Sequence, residues 1–278
     1  MTLGTAVGGS VFPEHTVSAT MPAEATENKI HEDGVARTFG FRGALVPGVT
    51  LYAWMTHPVV AALGADWLER GTFAARFTKA VYFGEPATVR ARLRSDGADS
   101  AAIETSVVDA AGVVCATATM TLAPCPGAPV PDIASYPGAP LPDERPRVSR
   151  EVLAVTPVLG TPVLALDTDT ASAFLERVRE TLPLYSGPRA RAHPGLYLQE
   201  ANRALSRNVV VSPWVHVESE GRHLGALFVG ERLETRGRVA RLFERKGHQL
   251  VELDLLLLAD GTRPVAHVRH VAIYQLRS

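Results

Sequence analysis

The chain has 278 residues, a formal charge of −1, and 46% hydrophobic residues. That is enough for one large or two ordinary domains with a substantial core, and the balanced charge argues against a nucleic-acid partner. Two cysteines, Cys115 and Cys125, make neither a disulfide framework nor a Cys-x-x-Cys metal site. The opening "MTLGTAVGGSVFPEH" lacks the basic start and long apolar run of a signal peptide, and no apolar run is long enough to span a membrane. The expectation is a soluble, cytoplasmic protein that needs neither metal nor other cofactor.

In chain order, a candidate strand precedes "TMPAEA" and then "ENKIHEDGVARTFGFRGALVPG", residues 27–48. This stretch brings Asn28, His31 and Asp33 close together and ends in Pro47-Gly48 at the start of an apolar run. Asp33 before "GVARTFGF" suits a helix N-cap. The run "VPGVTLYAWMTHPVVAALG" reads as a helix over 48–63. After it come "AVYFGEPATVRARL" and the strand pair "AAIETSVVDAAGVVCATATMTLA", turning near Asp109–Gly112.

The stretch 123–148 carries eight prolines. Proline has no amide donor and a fixed φ, so this stretch is read as an extended linker on the surface, without regular structure. The same series then recurs. "HPGLYLQEANRALSRN" reads as a helix over 194–208, followed by "ALFVGERLETRGRV" and two long strands about Asp260-Gly261, a strong hairpin signal. Gly48 to Gly84 is 36 positions and Gly195 to Gly230 is 35. The chain divides into an N-terminal unit 1–123, a linker 124–148 and a C-terminal unit 149–278. Each unit is a helix buried against an antiparallel sheet, since neither element can bury its apolar face alone. The expected fold is α+β, a pseudo-dimer with one continuous sheet.

Other polar sets are weaker. His216, Glu218 and Glu220 alternate, but His223 breaks the register, so no metal site is expected. His193 precedes the second Pro-Gly, and Glu200 is an acid on the second helix. Tyr52, Trp54 and Met55 read as core. Arg241, Arg245 and Lys246 read as solvated surface.

The duplicated helix-and-sheet unit resembles a double hotdog. Residues 27–48 are similar to the signature of the MaoC-like, (R)-specific enoyl-thioester hydratases and dehydratases. The resemblance aligns Asn28 with the signature's Asn, His31 with its catalytic His, Asp33 with its second acid, and Pro47-Gly48 with the dipeptide at the central helix entry. It departs at Thr26, where the family has its catalytic Asp, and at Lys29, where it has Pro. Glu24 and Glu27 are the nearby carboxylates that remain. The second half, with "FLERVRETLPLYSG" in the matching region, has no such motif, so at most one site of this type exists per chain.

The resemblance implies addition of water to an acyl-CoA or acyl-carrier thioester. His31 is then the base, with Asn28 and Glu27 beside it, and Gly48, Val49 and Asp33 touch substrate. Two alternatives stay open: a non-catalytic acyl-thioester-binding protein, which the loss at Thr26 favours, and a hotdog thioesterase, for which Glu200 is the acid on a central helix. A homodimer of the whole chain is compatible with either.

Overall fold

The computed structural model describes residues 12–21, 27–95, 101–123 and 129–277. The calls on Glu24 and Thr26 lie outside them.

In the first half, β1 (His15–Val17) is followed by a 3-10 turn at Lys29–His31 and the short α1 (Asp33–Thr38). Next come α2 (Gly48–Arg70), β2 (Gly71–Phe77), β3 (Ala87–Ser95), β4 (Ala101–Asp109) and β5 (Val114–Leu122). After the small α3 (Arg150–Ala154) the second half repeats the series. It has β6 (Val163–Ala165), α4 (Thr168–Val178), α5 (Gly195–Ser206), β7 (Val215–His223), β8 (Arg232–Arg245), β9 (His248–Ala259) and β10 (Arg263–Gln275).

All ten strands form one sheet in the order β1-β3-β4-β5-β2-β7-β10-β9-β8-β6. Read from either edge, the order is the same once the halves are exchanged. The halves meet where β2 pairs antiparallel with β7, Ala75 opposite Ser219.

Local chemistry explains the turns. Asp260 and Gly261 both have positive φ, 49° and 71°, which matches the right-handed twist of the strands they join. At the β4–β5 hairpin the Asp109 carboxylate accepts the amides of Ala111 and Val113, at 3.0 and 2.9 Å, and Gly112 supplies the positive φ.

From Val49 to Val60 every residue of α2 except His57 is buried, as an enclosed stretch of helix must be, whereas Asp66 and Glu69 beyond it are exposed. Tyr52, Trp54, Met55, Val59 and Val60 are all buried. The helix outruns its expected end at residue 63. Gly64 leaves helical geometry at φ 60°, and a further turn then seats Trp67 in the core. No helix among the described residues is long and apolar enough to cross a membrane.

The linker corrects one expectation. It contains a 3-10 turn at Ile133–Ser135, capped by Asp132, so it is not free of regular structure. It also buries Tyr136, whose hydroxyl donates to Asp254 Oδ1 at 2.9 Å and lies 3.0 Å from His267 Nε2. Asp33 is the first residue of α1 and not its cap, a position taken by Glu32.

Candidate active site

The 27–48 loop is fastened to the other half of the molecule. Asn28 Oδ1 accepts the Trp214 amide at 3.1 Å, and Asn28 Nδ2 donates to the Trp214 carbonyl at 3.0 Å. Both polar ends of one side chain therefore grip one backbone residue across the repeat. The Lys29 amide adds a bond to Ser212 Oγ at 3.0 Å.

This fastening places His31. Its Nδ1 lies 2.7 Å from the Leu45 carbonyl. A carbonyl only accepts, so Nδ1 carries the hydrogen and Nε2 holds the lone pair. Nε2 is 3.4 Å from the Asn28 amide nitrogen, a donor, which agrees with that tautomer. Burial lowers the His31 pKa below its ordinary value, and the bond to Leu45 only partly opposes this. Burial thus favours the neutral imidazole, whose Nε2 lone pair faces the Asn28 amide nitrogen at a long 3.4 Å.

His31 lines a cleft of about 670 Å³ shared by both halves. The first half contributes His31, Pro47, Val49, Thr50 and Phe83, and the second contributes Arg177 and Gln199 among others. Volume and mixed lining suit a small-molecule site. Pro47, Val49 and Thr50 belong to the entry of α2. There the amides of Thr50 and Leu51 already bond to the Pro47 carbonyl, at 2.9 and 3.3 Å. The Gly48 and Val49 amides have no acceptor among the described residues. The first amides of a helix have no intrahelical partner, and they sit at its positive dipole end. A side chain at Gly48 would press on what lies behind it, because an added Cβ falls 3.0 Å from His216 Nδ1 and 3.4 Å from Phe77.

The remaining expected residues lie elsewhere. Glu27 is exposed and pairs with Arg145. The Asp33 carboxylate accepts the Ala44 amide at 2.7 Å, which braces the loop ahead of α2. Neither is on the cleft wall, and Asn28 acts from behind it. Glu200 is fully buried on α5 and bonded to Arg203 and Gln199, also off the wall. Among the described residues no cluster of three or more metal-binding side chains occurs.

The matching place in the second half is filled. The Gly195 amide donates to His193 Nδ1 at 3.0 Å, so His193 carries its hydrogen on Nε2, which faces Glu180 at 3.6 Å. Glu180 also accepts from His57 Nδ1 at 2.9 Å and from the Leu182 amide at 2.8 Å. Burial pushes the Glu180 pKa up, but the nearby His193 and the bond from His57 outweigh it and hold it well below the ordinary carboxylate range. His193 itself is lowered by burial despite Glu180, whereas the Glu180 bond raises His57.

The sequence reading missed Arg177, Gln199, Thr50 and Phe83. The two from the second half lie on α4 and α5, where only the helix phase, with the three-dimensional crossing known, could have pointed inward.

No protein-family model and no curated protein matches the sequence. Solved structures do match along its length. A Chloroflexus aurantiacus protein described as a MaoC-domain dehydratase superposes with a TM-score of 0.65 at 12% identity, covering 98% of this chain and 95% of its own. Rv0216 of Mycobacterium tuberculosis, described as a double hotdog, gives 0.61 at 14%, covering 95% and 96%. A Lactobacillus plantarum protein described as an oleoyl thioesterase gives 0.54 at 13%, covering 98% and 99%. The fold is a double hotdog, shared with MaoC-like dehydratases and with thioesterases; identities this low carry the fold alone.

Proposed function

We propose that this chain catalyses the reversible addition of water to an α,β-unsaturated acyl thioester, carried on coenzyme A or an acyl carrier, with His31 as general base. The observation that carries this reading is the His31 tautomer. The Leu45 carbonyl fixes the hydrogen on Nδ1, so a neutral basic Nε2 belongs to a side chain on the wall of a cleft that also holds the entry of α2. The fold's likeness to a protein described as a MaoC-domain dehydratase supports the same chemistry.

In the hydration direction Nε2 takes a proton from water as the water oxygen bonds to Cβ. The double-bond electrons move towards the thioester carbonyl, whose oxygen gains enolate charge. The Gly48 and Val49 amides are the donors suited to hold that oxygen. The imidazolium then returns its proton to Cα, so one water has been added and His31 is neutral again. A single group suffices for both proton transfers, and this sequence needs neither Glu27 nor Asp33. Asn28 acts as a positioning residue, holding the His31 loop to Trp214. Gly48 keeps the helix entry close to His216.

One observation favours a second reading, a non-catalytic acyl-thioester-binding protein. Among the described residues the only carboxylate on the cleft wall is Glu176, contributed by the opposite half. Hydrolysis of the thioester is disfavoured, because Glu200 is engaged with Arg203 away from the wall. Assay of the full chain against enoyl-CoA substrates of graded length separates these readings: turnover supports the hydratase, and binding without turnover supports the carrier.

A further inference from the structure

Arg177 is on α4 of the second half, yet it lines the cleft that holds His31 of the first. Its guanidinium is held on two sides. Nη2 donates to Gln199 Oε1, and Cζ lies 4.9 Å over the Phe174 ring. Several arginines of the second half have an acid partner: Arg236 has Glu234, Arg238 has Asp254, Arg241 has Glu252, and Arg263 has Glu231. Arg177 has none within 4.0 Å among the described residues. Arg179, two residues on, lines the same cleft and, among the described residues, also lacks an ion-pair partner, as does the neighbouring wall acid Glu176. This wall therefore carries two cations against one anion. Arg177 stays exposed to solvent at the cleft, and the partial desolvation it meets there lowers its pKa.

A guanidinium offers five N–H donors in a planar fork that matches the two oxygens of a carboxylate or a phosphate. One donor goes to Gln199, which fixes the plane of the fork, and Phe174 supports one face. The other donors have no protein acceptor among the described residues.

We infer that Arg177 is the anion anchor of this cleft: with Gln199 as its positioning residue, it binds an anionic oxygen group of the thioester substrate. This rests on the reading of the cleft as an acyl-thioester site. Two parts of such a substrate carry the required chemistry, a phosphate of the carrier arm and a carboxylate at the far end of the acyl chain.

The test is calorimetry on the full chain with four probes: acetyl-CoA, succinyl-CoA, S-acetyl-N-acetylcysteamine and S-succinyl-N-acetylcysteamine. The last two lack phosphate. Arg177→Met keeps the length of the stem and removes the fork. It should weaken binding of the anionic probes about 10- to 100-fold, the scale of a lost charge-assisted bond, and leave the neutral S-acetyl-N-acetylcysteamine unchanged. A loss on both CoA probes assigns the anchor to the carrier phosphate. A loss confined to the two succinyl probes assigns it to the acyl carboxylate. Arg177→Lys should recover only part of the loss, and Gln199→Leu should reproduce part of it with an unchanged melting temperature.

The anchor is overturned if Arg177→Met binds every probe as the wild type does, or if no anionic probe binds the wild type at all. His31-dependent hydration with full activity in Arg177→Met would remove the anchor and leave the hydratase reading standing. Arg177-dependent binding without any hydration would do the reverse.

Discussion

The Gly195 amide donates to His193 Nδ1 at 3.0 Å, and this one bond distinguishes the two helix entries. The corresponding helix entry in the first half, at Gly48 and Val49, has no such plug among the described residues. His193 is buried and turns its one ring hydrogen, on Nε2, towards Glu180. His193→Ala should therefore destabilise the protein by about 1–3 kcal/mol, the cost of leaving the buried Gly195 amide without its acceptor. Urea unfolding measures this. An unchanged midpoint would show that the plug contributes nothing.

Glu180 links the halves electrostatically, since His57 comes from α2 of the first half. Its lowered pKa contributes stability that is present above the unfolded carboxylate value and lost as pH falls through the folded one. The raised pKa of His57 contributes stability that is full below the unfolded histidine value and lost as pH rises through the folded one. The two windows overlap between about pH 4.5 and about pH 6.5. Glu180→Gln should be most destabilising there and progressively less so above the folded pKa of His57. A destabilisation that grows with pH above that point would contradict the pairing.

These halves were legible in the sequence for definite reasons. Pro-Gly at each helix entry, the matched spacing to Gly84 and Gly230, and Asp260-Gly261 are backbone requirements, and backbone requirements show up as residue types. His31 was legible through the motif around it. What escaped depends on packing between distant segments. The turn beyond Gly64 continues because Trp67 needs the core. Tyr136 anchors a proline-rich stretch because Asp254 and His267 face it from β9 and β10. Arg177 and Gln199 enter the cleft through the way α4 and α5 lie against the first half, which periodicity within either segment cannot reveal.

Asn28 offers a test that stability alone would not pass. Burial lowers the His31 pKa, so the acid limb of the kcat/KM profile for hydration should fall below the ordinary histidine value of about 6.5. Asn28→Asp places a carboxylate near Nε2, where the Asn28 amide nitrogen now stands at 3.4 Å. A nearby negative charge favours the imidazolium, so the limb should move to higher pH. Loss of the bond to the Trp214 carbonyl should also lower the melting temperature. A lowered melting temperature with an unmoved pH limb would make Asn28 a clamp with no influence on His31.

The central claim is that His31 is the base, and hydration of crotonyl-CoA and longer enoyl-CoA thioesters by wild type and His31→Ala tests it most directly. His31 is partly buried and, among the described residues, its ring bonds only to Leu45 and Asn28, so the variant should fold. Loss of a positioned general base costs about 10²–10⁴ in rate, and the account predicts a fall in kcat of that size with the circular dichroism spectrum preserved. Equal turnover by the variant, or a wild type that binds acyl-CoA yet hydrates none of the series, would contradict it.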